Sequence, residues 1–255
     1  MQTKFTDLTD CQWEVIEKML KDHRPRQHSL RTIINAILWL SRTGSQWRNL
    51  ESKYPPWQSV YYYFRLWQHN GVWDRLLASL VKQERKRQGR DADPSAVAID
   101  SQSVKGMAFI SEESRGIDGN KKIKGRKRHL ITDTMGLPLA IFVSSADWHD
   151  GKAGIEMLWQ LEPHASRVKL IRGDKAYGGE FKEIAESIYE YQVDTTQKPP
   201  SAKGFIPQPG RWPIERSFGW LQFFRRLARD YEKTTQSARA FLQIAFINVV
   251  LNRLS

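Results

Sequence analysis

Over the first ninety residues the apolar positions recur only at helical spacing. Leu30, Ile33, Ile34, Ile37 and Leu38 form one such set, Trp73, Leu76, Leu77 and Leu80 another, and Trp13, Ile16 and Met19 a shorter one. Between the first two lies an aromatic run after Pro55-Pro56-Trp57, with Ser59 placed to cap a helix over residues 59–70 and Gly71 placed to stop it. In that helix Val60, Phe64 and Trp67 fall on one face, turning Gln58, Tyr62, Arg65 and His69 outward. The outward residues are types that contact phosphates and base edges, although an ordinary solvated helix face has the same composition. Short helices with tight turns suit a helix-turn-helix unit.

After the charge run from Lys82 to Arg90 and the segment Asp91-Ala92-Asp93-Pro94, the pattern changes, which puts a boundary between a small helical domain (1–90) and a mixed α/β domain (91–255). Ala96 to Ile99 reads as a short strand. His129 to Asp133 and Leu137 to Ser144 flank a turn at Met135-Gly136, and Val168 to Ile171 is a further strand. Helical patterns cover about 151–161, 179–189, 213–231 and 238–254, and the glycine-rich stretch 101–125 reads as a mobile loop.

Composition narrows the partners. Forty Lys and Arg against twenty-eight Asp and Glu give a formal charge of +12, which favours a polyanion through phosphate neutralisation and counterion release. The single cysteine, Cys11, leaves no intramolecular disulfide and no cysteine-rich zinc site, as expected in a reducing compartment. The longest apolar stretch, Phe241 to Leu251, is interrupted by Gln243 and Asn248 and is too short to span a bilayer. A cytoplasmic, nucleoid-associated protein without a membrane partner is the expectation.

Three acids stand where chemistry gathers. Asp100 follows Ala98-Ile99, Asp174 follows Leu170-Ile171-Arg172-Gly173, and Glu215 opens the helix after Pro213. Strand ends hold the backbone rigid while a side chain reaches open space. Hard oxygen ligands from separate elements suit Mg²⁺, and paired ions of this kind stabilise the attacking and leaving oxygens of a phosphoryl displacement. Taken singly, each acid also fits a cap or a surface charge.

The motifs Ala98-Ile99-Asp100-Ser101-Gln102-Ser103-Val104-Lys105, Lys124-Gly125-Arg126-Lys127-Arg128-His129, Gly173-Asp174-Lys175-Ala176-Tyr177 and Arg211 to Leu221, in this order, resemble the DDE transposases of bacterial insertion sequences. The resemblance is nearest to the family named after insertion sequence five. It implies a ribonuclease-H-like catalytic domain behind a helical DNA-binding region, with Asp100, Asp174 and Glu215 as catalytic metal ligands for Mg²⁺, for which Mn²⁺ substitutes. It also implies double-stranded DNA as partner, both element ends and target, and a homo-oligomer on that DNA. Strand cleavage at the ends would be followed by attack of the freed 3′ hydroxyl on target DNA. A nuclease of the same fold that only hydrolyses, and a DNA-binding regulator with an inert catalytic fold, are the alternatives.

Arg211 matches the family's Tyr, Arg, Glu, Lys signature, while Gln208 and Gln222 replace its Tyr and Lys. Arg226, one turn beyond Gln222 on a continuous helix, would then supply the missing charge. Lys127 and His129 share a strand face that suits phosphates or, equally, a paired-strand surface. Asp150, within Asp147-Trp148-His149-Asp150, reads as the N-cap of the next helix.

Overall fold

The structure is a computed structural model and describes residues 5–20, 26–162, 167–195 and 211–254. The N-terminal part is helical: α1 (Asp10–Leu20), α2 (Leu30–Thr43), α3 (Trp57–His69) and α4 (Val72–Arg87). Ser29 caps α2 by accepting from the Thr32 N–H, and Gly44 ends it in the left-handed conformation. Helix α3 starts two residues before the expected Ser59, with Pro56 at its cap, and its inner face is the expected one, with Val60, Phe64 and Trp67 buried.

The sheet follows: β1 (Ala96–Lys105), β2 (Gly116–Asp118), β3 (Ile123–Asp133), β4 (Pro138–Ser145), β5 (Leu170–Arg172) and β6 (Gln192–Asp194), with α5 (Asp150–Leu161) and α6 (Glu180–Ser187) among them. Its path is β2-β3-β1-β5-β6, antiparallel between β3 and β1 and parallel from β1 through β5 to β6. Strands β2 and β4 share the outer edge of β3, pairing with Ile123–Gly125 and with residues from Arg126 onward respectively. The expected mobile loop over 101–125 is therefore corrected. Ser101–Lys105 extend β1, and β2 and the start of β3 take up short pieces of the remainder, the rest of which is turn and loop with one 3-10 turn.

The long C-terminal helix α8 (Thr235–Leu254) is buried on most sides, as an apolar helix at the centre of a core should be. Helices α2, α3, α4 and α7 (Trp212–Leu221) and strand β4 pack on it, so the N-terminal helices and the outer half of the sheet share one apolar core. Much of the charge run at the end of α4 is likewise structural: Arg85 is buried against Asp133, and Glu84 pairs with Arg87. A second core, including Ile99, Ile131, Met157, Ile171, Tyr177 and Phe181, lies between the opposite sheet face and α5 and α6. Among the described residues no helix is long and apolar enough to cross a membrane.

Helix α7 is tied to the β3–β4 turn. Ser217 Oγ donates to the Gly136 carbonyl at 2.7 Å, and Arg216 donates to the Met135 carbonyl at 2.7 Å. Gly136 has φ +76°, and a Cβ there would sit 2.7 Å from the Pro213 oxygen, so this contact needs glycine on both counts. The helix ends at Leu221 rather than running to Tyr231, and a 3-10 turn, Arg225–Leu227, follows a break at Phe224.

Candidate active site

Parallel pairing brings two acids together. Ala98 is in register with Arg172, so Asp100 and Asp174 each lie two residues beyond the same level of neighbouring strands. Asp100 stands within β1 rather than at its end, opposite Leu130 of β3. Asp174 follows β5 and caps a 3-10 turn, Lys175–Tyr177, by accepting from the Ala176 N–H at 2.9 Å. On the Asp100 side of the sheet, α7 crosses β1 and β3, and Arg211 at its start holds a guanidinium nitrogen 3.7 Å from Asp100 Oδ2. Glu215 is one turn further on the same helix face and is exposed. Among the described residues no three acids, histidines or cysteines are gathered closely enough to hold a metal ion.

Asp100 is held against its surroundings. Burial pushes its carboxyl up to about 6; the Ser101 N–H and Arg211 oppose this, Asp174 adds to it, and Lys121 opposes it again. A folded pKa above the ordinary carboxylate value near 4 means that stability is lost as pH rises from about 4 through 6. In metal-free buffer, Asp100→Asn should therefore be more stable than the parent chain at pH 7.5, by about 1–2 kcal/mol given the partial exposure of the side chain. The advantage should vanish at pH 4. Thermal melts in chelator at the two pH values test this, and a difference independent of pH would contradict it.

On the opposite face of β1 and β3, Ser101 Oγ donates to Asp150 Oδ1 at 2.9 Å, and Lys127 Nζ lies 3.2 Å from the same oxygen and donates to the Trp148 carbonyl at 2.7 Å. His129 Nε2 lies 2.9 Å from Ser144 Oγ. Burial lowers the imidazole to about 4, so it is neutral at physiological pH. Lys127 and His129 thus do share a face, but it is an inner one beside the start of α5 and not a surface open to phosphates. The N-cap of α5 is His149, whose Nδ1 accepts from the Gly151 N–H, which corrects the expected role of Asp150.

Tyr177 went unnoticed as a contributor to this site. Its ring is buried, its hydroxyl has no hydrogen-bond partner among the described residues, and its pKa is raised by burial first and then by Asp100, Asp150 and Asp174. The spacing Asp174 to Tyr177, one 3-10 turn, was the available signal. The proposed role of Arg226 is corrected. It lies outside α7, is buried, pairs with Glu232 at 2.8 Å and donates to the Ser45 carbonyl at 2.7 Å, so its guanidinium is committed to the interior. Gln222, at the α7 C-cap, is exposed, and Gln208 lies outside the described residues. Gln58, Tyr62 and Arg65 are exposed on α3, with Tyr62 60% accessible.

Comparison with known proteins gives the family. Residues 8–77 match the family described as "Putative transposase of IS4/5 family", and residues 91–252 match the family described as "Transposase DDE domain". Among curated relatives, the "Putative transposase for insertion sequence element IS402" of Burkholderia cepacia is 26% identical over 143 residues, 51% of this chain and 64% of that protein. "Insertion element IS402 uncharacterized 16.2 kDa protein" of the same organism is 32% identical, over 39% of this chain and 74% of that protein. "Uncharacterized protein y4sN" of Sinorhizobium fredii is 31% identical, over 44% and 86%. The chain thus spans just under two thirds of the first of these relatives. The catalytic-domain match implies the ribonuclease-H-like fold, in keeping with a mixed sheet that is parallel from β1 through β5 to β6. With a family match covering most of its length, this chain belongs to the DDE transposases of bacterial insertion sequences.

Proposed function

We propose that the chain cleaves DNA at the ends of an insertion element and joins the freed 3′ hydroxyl to target DNA, using Asp100, Asp174 and Glu215. The observation that carries this reading is the register of β1 and β5, which sets two carboxylates side by side in a partly buried place. Two neighbouring carboxylates repel, and an arrangement kept despite that repulsion suits a cation between them. Oxygen donors of this kind fit a divalent ion such as Mg²⁺, with Mn²⁺ as substitute: Asp100 and Asp174 would hold it, and Glu215, exposed on α7 and not gathered with them here, would have to close on the pair when DNA is bound. Such an ion would supply activation of the attacking oxygen and neutralisation of the leaving one.

The chain's own groups do the rest. Arg211 beside Asp100 is placed to offset charge at the acids and to meet a phosphate oxygen, and its Nε has no hydrogen-bond partner among the described residues. The Ser101–Asp150–Lys127 cluster beneath β1 fixes the strand from the other face. Incubation of the full chain with element-end DNA, with and without a divalent ion, tests the reading: ion-dependent cleavage followed by strand joining supports it. Cleavage without joining would favour a nuclease, and binding without cleavage a regulator.

Recognition of the ends is assigned to α3, through exposed Gln58, Tyr62 and Arg65. Removing residues 1 to about 90 would strip α2, α3 and α4 from α8 and expose the shared core, so point substitutions are the sound test. Replacing Gln58, Tyr62 and Arg65 together by Ala should reduce the preference for end DNA over scrambled DNA by about tenfold or more, as expected for lost base-edge contacts of about 1–3 kcal/mol each. An unchanged preference in a gel-shift assay would remove α3 from recognition. Double-stranded DNA, as ends and as target, is the partner assigned here, and a homo-oligomer is the form in which two ends would be held together.

A further inference from the structure

Arg126 and Arg128 point to the same side of β3, and the structure treats them differently. Arg126 is fully enclosed and engaged: it lies 3.1 Å from Asp230 Oδ2 and donates to the carbonyls of Ser114, Glu232 and Lys233. Arg128 is only 5% accessible, yet among the described residues its guanidinium makes no hydrogen bond and no ion pair. Burial lowers its pKa to about 10, with only Asp230 opposing from a distance, so it stays charged at neutral pH. A buried guanidinium with its donors unmet is costly unless something outside the chain meets them.

Arg128 lines a cavity of about 350 Å³ between β1, the C-terminal end of α7 and the 3-10 turn after it. Lys105 and Arg229 stand at its margin, Gln102 and Gln222 add amides, and no acid lines it. The cavity continues the site already described. Side chains alternate along a strand, so Gln102 shares the face of Asp100 and lies roughly 7 Å further along β1. That distance is close to the through-space separation of neighbouring phosphates on one strand, which exceeds the axial rise of about 3.4 Å per nucleotide because the backbone winds around the axis.

We propose that this cavity is a phosphate subsite, in which Arg128 from the floor and Lys105 and Arg229 from the margin hold a backbone phosphate of the DNA strand next to the one cleaved. The assignment rests on the reading of the chain as DNA-processing. A planar guanidinium offers paired donors to two phosphate oxygens, and no acceptor among the described residues takes them up.

The test uses the full chain and a short fluorescent DNA duplex of arbitrary sequence, with affinity measured by anisotropy over a range of salt. Arg128→Met keeps volume and removes charge. It should weaken binding about tenfold and lower the slope of log affinity against log salt by about 0.9, the value for one lost phosphate contact. Arg128→Lys should keep the parent slope, which a purely structural role for the side chain would not require. A parent-like slope in a folded Arg128→Met chain would overturn the subsite. Should that variant fail to fold, Lys105→Gln with Arg229→Gln, both at exposed positions, should still lower the slope, and no change there overturns it equally. If inorganic phosphate raises the melting temperature of the parent but not of Arg128→Met while the DNA slope is unchanged, the cavity holds a free anion and the DNA assignment fails. A parent chain that does not bind the duplex at all would instead bring down the DNA-processing reading.

Discussion

Asp100→Asn, Asp174→Asn and Glu215→Gln are each expected to lower cleavage of element-end DNA by at least about 10³-fold, roughly 4 kcal/mol of lost transition-state stabilisation. Each substitution keeps shape while removing the charge that would retain a divalent ion. Binding of uncut DNA should hold or tighten, because a carboxylate near a phosphate repels it. Asp100→Asn should bring the added gain in metal-free stability at neutral pH, since its carboxylate is held charged against burial. Glu215 is exposed on α7, so its substitution should leave the melting temperature unchanged. Cleavage rates with matched gel-shift titrations measure the split, and variants that cut at the parent rate would exclude these residues from the chemistry.

The largest effect on stability is expected at Asp133. Its fully buried carboxylate accepts from the Met135 and Leu137 N–H groups, each at 2.8 Å, and pairs with buried Arg85 from α4. Asp133→Ala removes all three partners and leaves the guanidinium enclosed without its carboxylate. Breaking such a pair costs about 3–5 kcal/mol, a large share of the net stability of about 5–15 kcal/mol usual for a folded chain. Arg85→Met should be milder, because Asp133 would keep its two backbone donors. Urea unfolding of the three chains gives the order, and a loss under about 1 kcal/mol in Asp133→Ala would contradict the account. Because the same turn carries the Arg216 and Ser217 contacts of α7, Asp133→Ala should also reduce cleavage by displacing Glu215, with Asp100 and Asp174 left in place.

Periodicity was sufficient where burial followed polarity. The inner face of α3, the β3–β4 hairpin and the apolar α8 were all visible from spacing alone. It failed where polar side chains went inward. Ser101-Gln102-Ser103 looked like loop, yet these residues lie in β1 with β3 along one edge, where hydrogen bonds to the neighbouring strand offset the loss of water. Lys127 and His129 read as a face suited to phosphates or to a paired-strand surface, and they are enclosed along with Arg126 and Arg128, with Arg126, Lys127 and His129 engaged by Asp230, Asp150 and Ser144 respectively. Partners so distant in sequence leave no local trace. The break after Leu221 was hidden for a related reason: Phe224 and Leu227 continue an apolar spacing, while the turn there is set by Arg226 reaching Glu232 and Ser45. The pairing of Asp100 with Asp174 was within reach of motif recognition, whereas their shared register depended on the parallel partnership of β1 and β5, which no local pattern encodes.

The central claim is that Asp100, Asp174 and Glu215 together retain a divalent ion. Electron paramagnetic resonance of Mn²⁺ titrated into the full chain, alone and with element-end DNA, tests it most directly, because protein-bound Mn²⁺ is lost from the free-ion signal. The account predicts uptake by the parent chain, strengthened by DNA, and loss of that uptake in Asp100→Asn, Asp174→Asn and Glu215→Gln alike. A parent chain that takes up no Mn²⁺ even with DNA present, or three variants that bind it as the parent does, would contradict it.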